Sequence, residues 1–222
     1  MPSLPLTLAA PVLLLLAAAP FVIRPGRRPG PLPRLAELAC LLALASLLAA
    51  AMQLVVHGPQ IVTLAPAISV RLDAVSATLG LLVGFIGWVV IRYSRRYLDG
   101  EAREGRFHAL TLSAIAAVLV LVQAGSLPVL VSAFLAIGVI LRQLLLFYPD
   151  RPEARRAAAK FTRVWGAGDV ALCLAAGLLW LDFGTPDLAT IAAATGEGLS
   201  AMAQIAVAGL VLAALQKTAA FP

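Results

Sequence analysis

The sequence predicts an all-α, polytopic membrane protein of about seven transmembrane helices with its N-terminus outside. Three observations carry this: the composition, a series of apolar runs of about 20 residues, and basic residues confined to alternate loops. Of the 222 residues, 61% are hydrophobic and 13% charged, against roughly 45–50% apolar and about 25% charged in an average soluble domain. A water-soluble fold has no means of covering that much apolar surface. Crossings of ~20 residues joined by short loops use up the length and leave no separate soluble domain. The net charge of +6 does not indicate a nucleic-acid binder, because the basic residues fall between the apolar runs and do not gather on one face. Cys40 and Cys173 lie inside apolar runs, where a thiol behaves as a small hydrophobe, and neither a disulfide framework nor a zinc spacing is present.

The first run, Leu4 to Ile23, has the length of a secretory signal, but Arg24, Arg27 and Arg28 follow it instead of preceding it. That order makes it an uncleaved anchor. Leu35–Val56 is the second run and Asp73–Tyr93 the third; Phe107–Ala124 and Leu127–Tyr148 are the fourth and fifth. The gap from Gln123 to Pro128, which contains Gly125 and Ser126, leaves room only for a tight hairpin between those two helices. Phe161–Leu181 and Leu199–Ala219 complete the set, and at 1.5 Å per residue each run can cross a core of about 30 Å. Between the last two, Thr185-Pro186-Asp187 resembles a helix start with proline at the first helical position. With Leu188, Ile191, Ala192 and Ala193 it predicts a short surface helix on the interface.

Of the 17 basic residues, all but Arg71 and Lys217 fall on alternate loops: Arg24 to Arg34, Arg92 to Arg106, and Arg142 to Arg163. The positive-inside rule makes those loops cytoplasmic. The opposite loops carry His57, Asp182, Asp187 and Glu197. Tyr93, Tyr97, Tyr148 and Trp165 fall near the inner boundary and Trp180 near the outer one, where amphipathic rings sit among headgroups. This topology predicts that Gly58→Cys, in a background lacking the native cysteines, reacts with an impermeant thiol reagent in intact cells while Arg155→Cys does not. The opposite labelling pattern would invert the assignment.

An ionisable side chain inside a membrane is costly and needs either a structural reason or a function. Asp73, at the start of the third helix, reads as an N-cap carboxylate or as an ion-pathway group. Arg142, six residues before Tyr148, lies roughly 9 Å inside the boundary and either snorkels or pairs with a carboxylate or anion. Asp169 is carried into the membrane because Val170 to Leu181 is too short to span alone; Gly166 and Gly168 beside it permit close helix packing. Arg163 is six residues away on another face, so the partner of Asp169 is expected on a different helix, with Arg142 the favoured residue. Lys217, near the end of an apolar helix, either snorkels or takes part in ion transfer; with no carboxylate on the fourth and fifth helices, its partner is expected to be Asp169, Asp73, water or a residue beyond Pro222. His57 and His108 are isolated and read as boundary or loop residues, not ligands. With no serine–histidine–carboxylate set, glycine-rich phosphate loop or metal cluster in the sequence, no catalytic residue, cofactor or metal ligand is assigned in this chain.

Leu72-Asp73-Ala-Val-Ser76, Tyr93-Ser-Arg-Arg-Tyr-Leu-Asp-Gly-Glu101 continuing to Arg106-Phe107, and Gln216-Lys-Thr-Ala-Ala-Phe-Pro222 stand in this order in the chain. Together they resemble the antiporter-like module of NADH-quinone oxidoreductase chain 5 (subunit L) and of Mrp-type sodium/proton antiporters. The resemblance covers roughly residues 70 to 222. It divides the chain into two N-terminal helices and an outer loop, residues 1–72, and the start of the module, residues 73–222, ending at a broken seventh helix. It also implies that Lys217 takes part in ion transfer at mid-membrane, with Asp169, Asp73, Arg142 and Arg163 as the further ion-pathway candidates. Two features depart from the pattern. No Asp or Glu stands between Glu104 and Asp150, where proton-pumping members carry a glutamate on the fifth helix. The arginine expected two residues before Gly168-Asp169 is Gly166 here, with Arg163 displaced.

Leu141-Arg-Gln-Leu-Leu-Leu-Phe-Tyr-Pro-Asp-Arg-Pro152 and the basic stretch to Lys160 are similar to the membrane subunit, DabB, of DAB-type inorganic carbon transporters. That resemblance implies cation (H+ or Na+) flux coupled to bicarbonate or CO2 uptake in a bacterial inner membrane. It also implies a partner: a large cytoplasmic, zinc-containing, carbonic-anhydrase-like subunit of the DabA type. The alternatives are a proton-translocating subunit of NADH-quinone oxidoreductase or of an Mrp-type antiporter, and a non-conducting scaffold. The family continues through several more helices, so the chain to Pro222 is expected to be an N-terminal piece or a truncated reading frame without a complete ion path.

Overall fold

In a computed structural model of the protein, residues 6–26, 30–194 and 198–218 are described. Among them the elements run α1 (Leu6–Ile23), α2 (Leu32–His57), β1 (Gln60–Ala65), β2 (Ile68–Leu72), α3 (Ala74–Tyr97) and α4 (Glu104–Val122), then α5 (Leu127–Leu145), α6 (Pro152–Phe183), α7 (Leu188–Ala194) and α8 (Ala201–Lys217). Helices α2 to α6 are each long and apolar enough to cross a membrane, and α1 and α8 are shorter apolar helices. The polarity is inverted relative to a soluble protein. Large apolar side chains such as Leu16, Val55, Val139, Leu181 and Ile205 face outward, while alanine dominates the buried positions. Small residues inside let helices approach, and large ones outside meet lipid.

The chain divides into two compact units, Met1–Val62 with Arg71–Gln123, and Thr63–Val70 with Ala124–Pro222. In the first, Ala10, Leu14, Ala18 and Phe21 of α1 pack with Ala36, Cys40, Ala43 and Leu47 of α2 and with Ala109, Leu112, Ala116 and Leu119 of α4. The spacing of three and four keeps each set on one helix face. Helix α4 begins three residues before the run read from the sequence, and its N-cap Arg103 gives no side-chain cap. Carbonyls after α1 take that place: Gly26 accepts from the Gly105 N–H at 3.3 Å and Pro25 from the Arg106 N–H at 3.1 Å. A Cβ at residue 105 would sit 2.1 Å from the Arg24 carbonyl, so only glycine permits this approach.

Two features of this unit differ from expectation. His108 is neither at a boundary nor in a loop. It is 0% exposed, its ring tilted against Phe21 with centroids 5.4 Å apart, because the earlier start of α4 carries it one turn into the helix. Glu37, one turn into the apolar α2 and 8% exposed, accepts from Arg92 at 2.9 Å and from Arg95. These arginines are spaced by three on α3, so both reach one carboxylate.

The segment expected to be an outer loop contains the hairpin β1–β2, turned at Pro66–Ala67. Val70 bridges to Ala124 in the connection after α4, and the Ser69 carbonyl accepts from the Gly125 N–H at 3.0 Å.

In the second unit the helix α6 has 32 residues, about 48 Å of rise. It starts at Pro152 and not at Phe161, so its basic first turns extend past the span. The short helix α7 lies where it was expected, but begins at Leu188. Asp187 caps it, accepting from the Thr190 N–H at 2.9 Å, so Pro186 lies before the helix and not at its first position. Ile191 is buried with Leu127, Ala176, Leu179 and Ala206, which pins α7 to the helices below it. Ser200 caps α8 through the Ala203 N–H at 3.0 Å and donates its hydroxyl to Asp182 at 2.8 Å.

Candidate functional site

Helices α6 and α8 run closely side by side because small residues face each other. A Cβ on Gly168 would stand 3.3 Å from the Gln216 Cβ, and one on Gly209 would stand 3.2 Å from the Ala175 Cβ. The residues that follow Gly168 and Gln216 are the charged ones. Lys217 Nζ donates to Asp169 Oδ1 at 2.5 Å, with side-chain exposures of 7% and 19%. Asp169 lies 14 residues from the Phe183 end of α6, about 21 Å along the axis, well inside the span. The same ammonium lies 4.2 Å from the centroid of Trp165 and 4.9 Å from that of Phe134. One carboxylate and two ring faces therefore surround it. Cation–π contact is stronger when water is excluded.

The structure gives Asp169 a partner on another helix, as expected, but that partner is Lys217 and not Arg142. Arg142 is exposed on α5 and lines a separate cavity with Arg155 and Arg163. Arg163, also exposed, turns its Nε to the Ala159 carbonyl at 3.3 Å. Asp73 closes a reciprocal cap: its carboxylate accepts from the Ser76 N–H at 2.8 Å, and the Ser76 hydroxyl accepts from the Asp73 N–H at 2.8 Å. Arg71 stands 2.8 Å away. Partial burial pushes the Asp73 carboxyl up, but the Ser76 contacts and the Arg71 guanidinium outweigh it and hold the group below the usual carboxylate range. This environment accounts for Asp73 as a capping group. The expected helix break at Phe221-Pro222 lies outside the described residues.

Sequence reasoning missed Trp165 as part of the site, placing it at the headgroups. Its signal is the spacing of four between Trp165 and Asp169, which puts indole and carboxylate on one face of α6. Glu37 was missed as well, although it is an acid inside an apolar run with two arginines at the end of the next predicted helix. Among the described residues no group of three His, Cys, Asp or Glu side chains is placed to hold a metal ion.

Residues 60–108 match the family described as NADH-Ubiquinone oxidoreductase (complex I), chain 5 N-terminus. Over 158 residues the chain is 34% identical to a probable inorganic carbon transporter subunit DabB2 of Halothiobacillus neapolitanus, covering 70% of this chain and 29% of that protein. Over 114 residues it is 33% identical to NADH-quinone oxidoreductase subunit L of Escherichia coli, covering 51% of this chain and 19% of the relative. The chain thus matches less than a third of the length of either relative. Among solved structures it superposes on a chain of the Mrp complex from Dietzia sp. with a TM-score of 0.75 and 24% identity, covering 96% of this chain and 24% of the other. It superposes on a chain of the archaeal membrane-bound sulfane sulfur reductase with a TM-score of 0.79 and 18% identity, covering 96% and 34% respectively. At such identities the superpositions establish a shared fold.

Proposed function

We propose that this chain, similar in sequence to antiporter-like membrane subunits, is the first part of a cation-conducting subunit that drives inorganic carbon uptake, with Asp169 and Lys217 handling the ion. The observation that carries the reading is the pair itself, partly buried inside the span. A charge pair in an apolar bundle is usually no more stable than apolar packing of the same volume, so a scaffold gains little from one. An ion path needs groups that exchange charge inside the membrane. Residues 73–222 then form the start of the antiporter-like module, and Arg142 and Arg163 stand beside the path instead of in it.

Inorganic carbon is preferred as the coupled substrate because of the similarity to the Halothiobacillus subunit. The acid-free stretch from Gly105 to Pro149 points the same way, since it leaves Lys217 without a carboxylate on α5. The chain 5 match and the similarity to subunit L favour a second reading, a proton-translocating subunit of a quinone oxidoreductase. Arg142, Arg155 and Arg163 rim a cavity of about 360 Å³ and fit an acidic surface on a soluble partner. The proposed partner is a large zinc-containing, carbonic-anhydrase-like subunit at a bacterial inner membrane. Affinity purification of the full-length protein is expected to recover that subunit in stoichiometric amount. Stoichiometric recovery of quinone-oxidoreductase subunits instead would replace the first reading by the second.

A further inference from the structure

The face of α6 that carries Asp169 carries Trp165, Phe161 and Ala157 at successive intervals of four, one stripe along the helix. A cavity of about 320 Å³ is lined by Ala157, Lys160, Phe161, Val164, Trp165, Gln216 and Lys217. It leads from the basic N-terminal turns of α6 toward the ammonium. In its wall beside Lys217 lies the indole of Trp165, stacked at 5.1 Å on Phe161 and 4.2 Å from the ammonium.

The indole fits there because of Gly138 on α5. A Cβ at that residue would lie 2.3 Å from Trp165 Nε1 and 2.6 Å from Cδ1. The Nε1–H is buried and has no hydrogen-bond partner, so packing into this notch and the cation–π contact hold the ring, and no hydrogen bond locks it. The Gln216 Oε1 is likewise buried without a partner, which leaves an acceptor in the cavity wall beside the path.

We propose that Trp165 controls access from the Lys160 side to Lys217, the indole acting as a movable wall seated in the notch of Gly138. In the position observed it lies against the ammonium, and the Lys217 side chain is left 7% exposed. Displaced from the notch, it opens the stripe of α6 to water or a cation arriving past Lys160. Trp165 is thus a positioning residue. The role deepens the ion-handling reading of the Asp169–Lys217 pair and rests on it, but the wall itself is measurable without any transport.

The test uses the full-length protein with its native cysteines replaced by alanine and Lys217→Cys introduced, in inverted membrane vesicles. A cationic trimethylammonium methanethiosulfonate reagent is added from the cytoplasmic face. With Trp165 present, modification is expected to be slow, the notch of Gly138 holding the ring where the ammonium is absent. Trp165→Ala should raise its rate by at least about tenfold, and Gly138→Ala, which expels the ring while keeping it in the chain, should raise it as well. Trp165→Phe, which retains a ring face, should stay near the parent rate. Rates within about twofold across all four proteins, or fast modification of the parent, would overturn the gate while leaving the ion-handling reading untouched. Growth rescue by variants lacking the Lys217 amine would overturn the ion-handling reading and leave the accessibility result standing.

Discussion

Replacing Lys217 by alanine in the full-length protein is expected to abolish carbon-dependent growth rescue while the protein still inserts at the parental level. Insertion should survive because α8 is apolar apart from Gln204, Gln216 and Lys217 and loses only a charge, which eases its partition into the bilayer. Function should fail because Asp169 is left as an uncompensated carboxylate among apolar neighbours, a change costing roughly 3–5 kcal/mol for a buried pair. Lys217→Arg should be impaired too. Arginine holds its proton where lysine can release one. Asp169→Asn removes the other half of the pair and is expected to match Lys217→Ala, with at least about tenfold slower uptake, or ~1.4 kcal/mol. A lysine that merely snorkelled from a helix end would tolerate arginine. If Lys217→Ala and Lys217→Arg both rescue growth like the parent at equal expression, the ion-path assignment fails.

A large effect on stability is also expected at Glu37. Glu37→Gln keeps the shape of the side chain and removes the charge that two guanidiniums share. Each charge-assisted hydrogen bond is worth roughly 1.5–3 kcal/mol. The Arg92 side chain is 54% exposed and that of Arg95 29%, so water screens part of the loss. A net cost of about 2–4 kcal/mol is the expected outcome, read as a lower thermal midpoint of the purified protein in detergent. A double-mutant cycle with Arg95→Leu should show that the two losses are not additive, because both remove the same contact. Additive losses, or a midpoint unchanged by Glu37→Gln, would mean that Glu37 and the two arginines do not hold α2 against α3.

The helices were legible because their signal is local. Twenty apolar residues in a row leave the backbone only one way to satisfy its hydrogen bonds in lipid, and the charged loops between them set the order. The hairpin β1–β2 was not read, although Ile61 to Leu64 and Ile68 to Leu72 are rich in β-branched residues around Pro66. Strands this short declare themselves only when something pairs with them, and here β2 pairs beyond the hairpin with the connection at Ala124. The placement of Trp165 at the headgroups followed a sound general rule, which a nearby buried cation overrode. The partner of Asp169 stayed open for a related reason: Arg142 was favoured, while Asp169 also stood among the possible partners of Lys217. Arg142 and Lys217 were both cations on other helices, and no spacing rule reaches across 48 residues of sequence.

By itself, then, the amino-acid sequence determined the all-α membrane class, the helices in order, the charged residues that lie inside apolar runs, and the capping start of α3 at Asp73. Each of these depends on neighbours within a turn or on the contrast between apolar and charged stretches, which solvent and lipid read directly. Only the tertiary structure decided which charges meet. Asp169 finds Lys217 because Gly168 and Gly209 let α6 and α8 close together, and Glu37 finds Arg92 and Arg95 because α2 and α3 lie side by side. Trp165 closes over the lysine because Gly138 leaves a notch for its ring. Contacts between helices depend on the shape of both surfaces at once, and that information is spread over segments far apart in the chain.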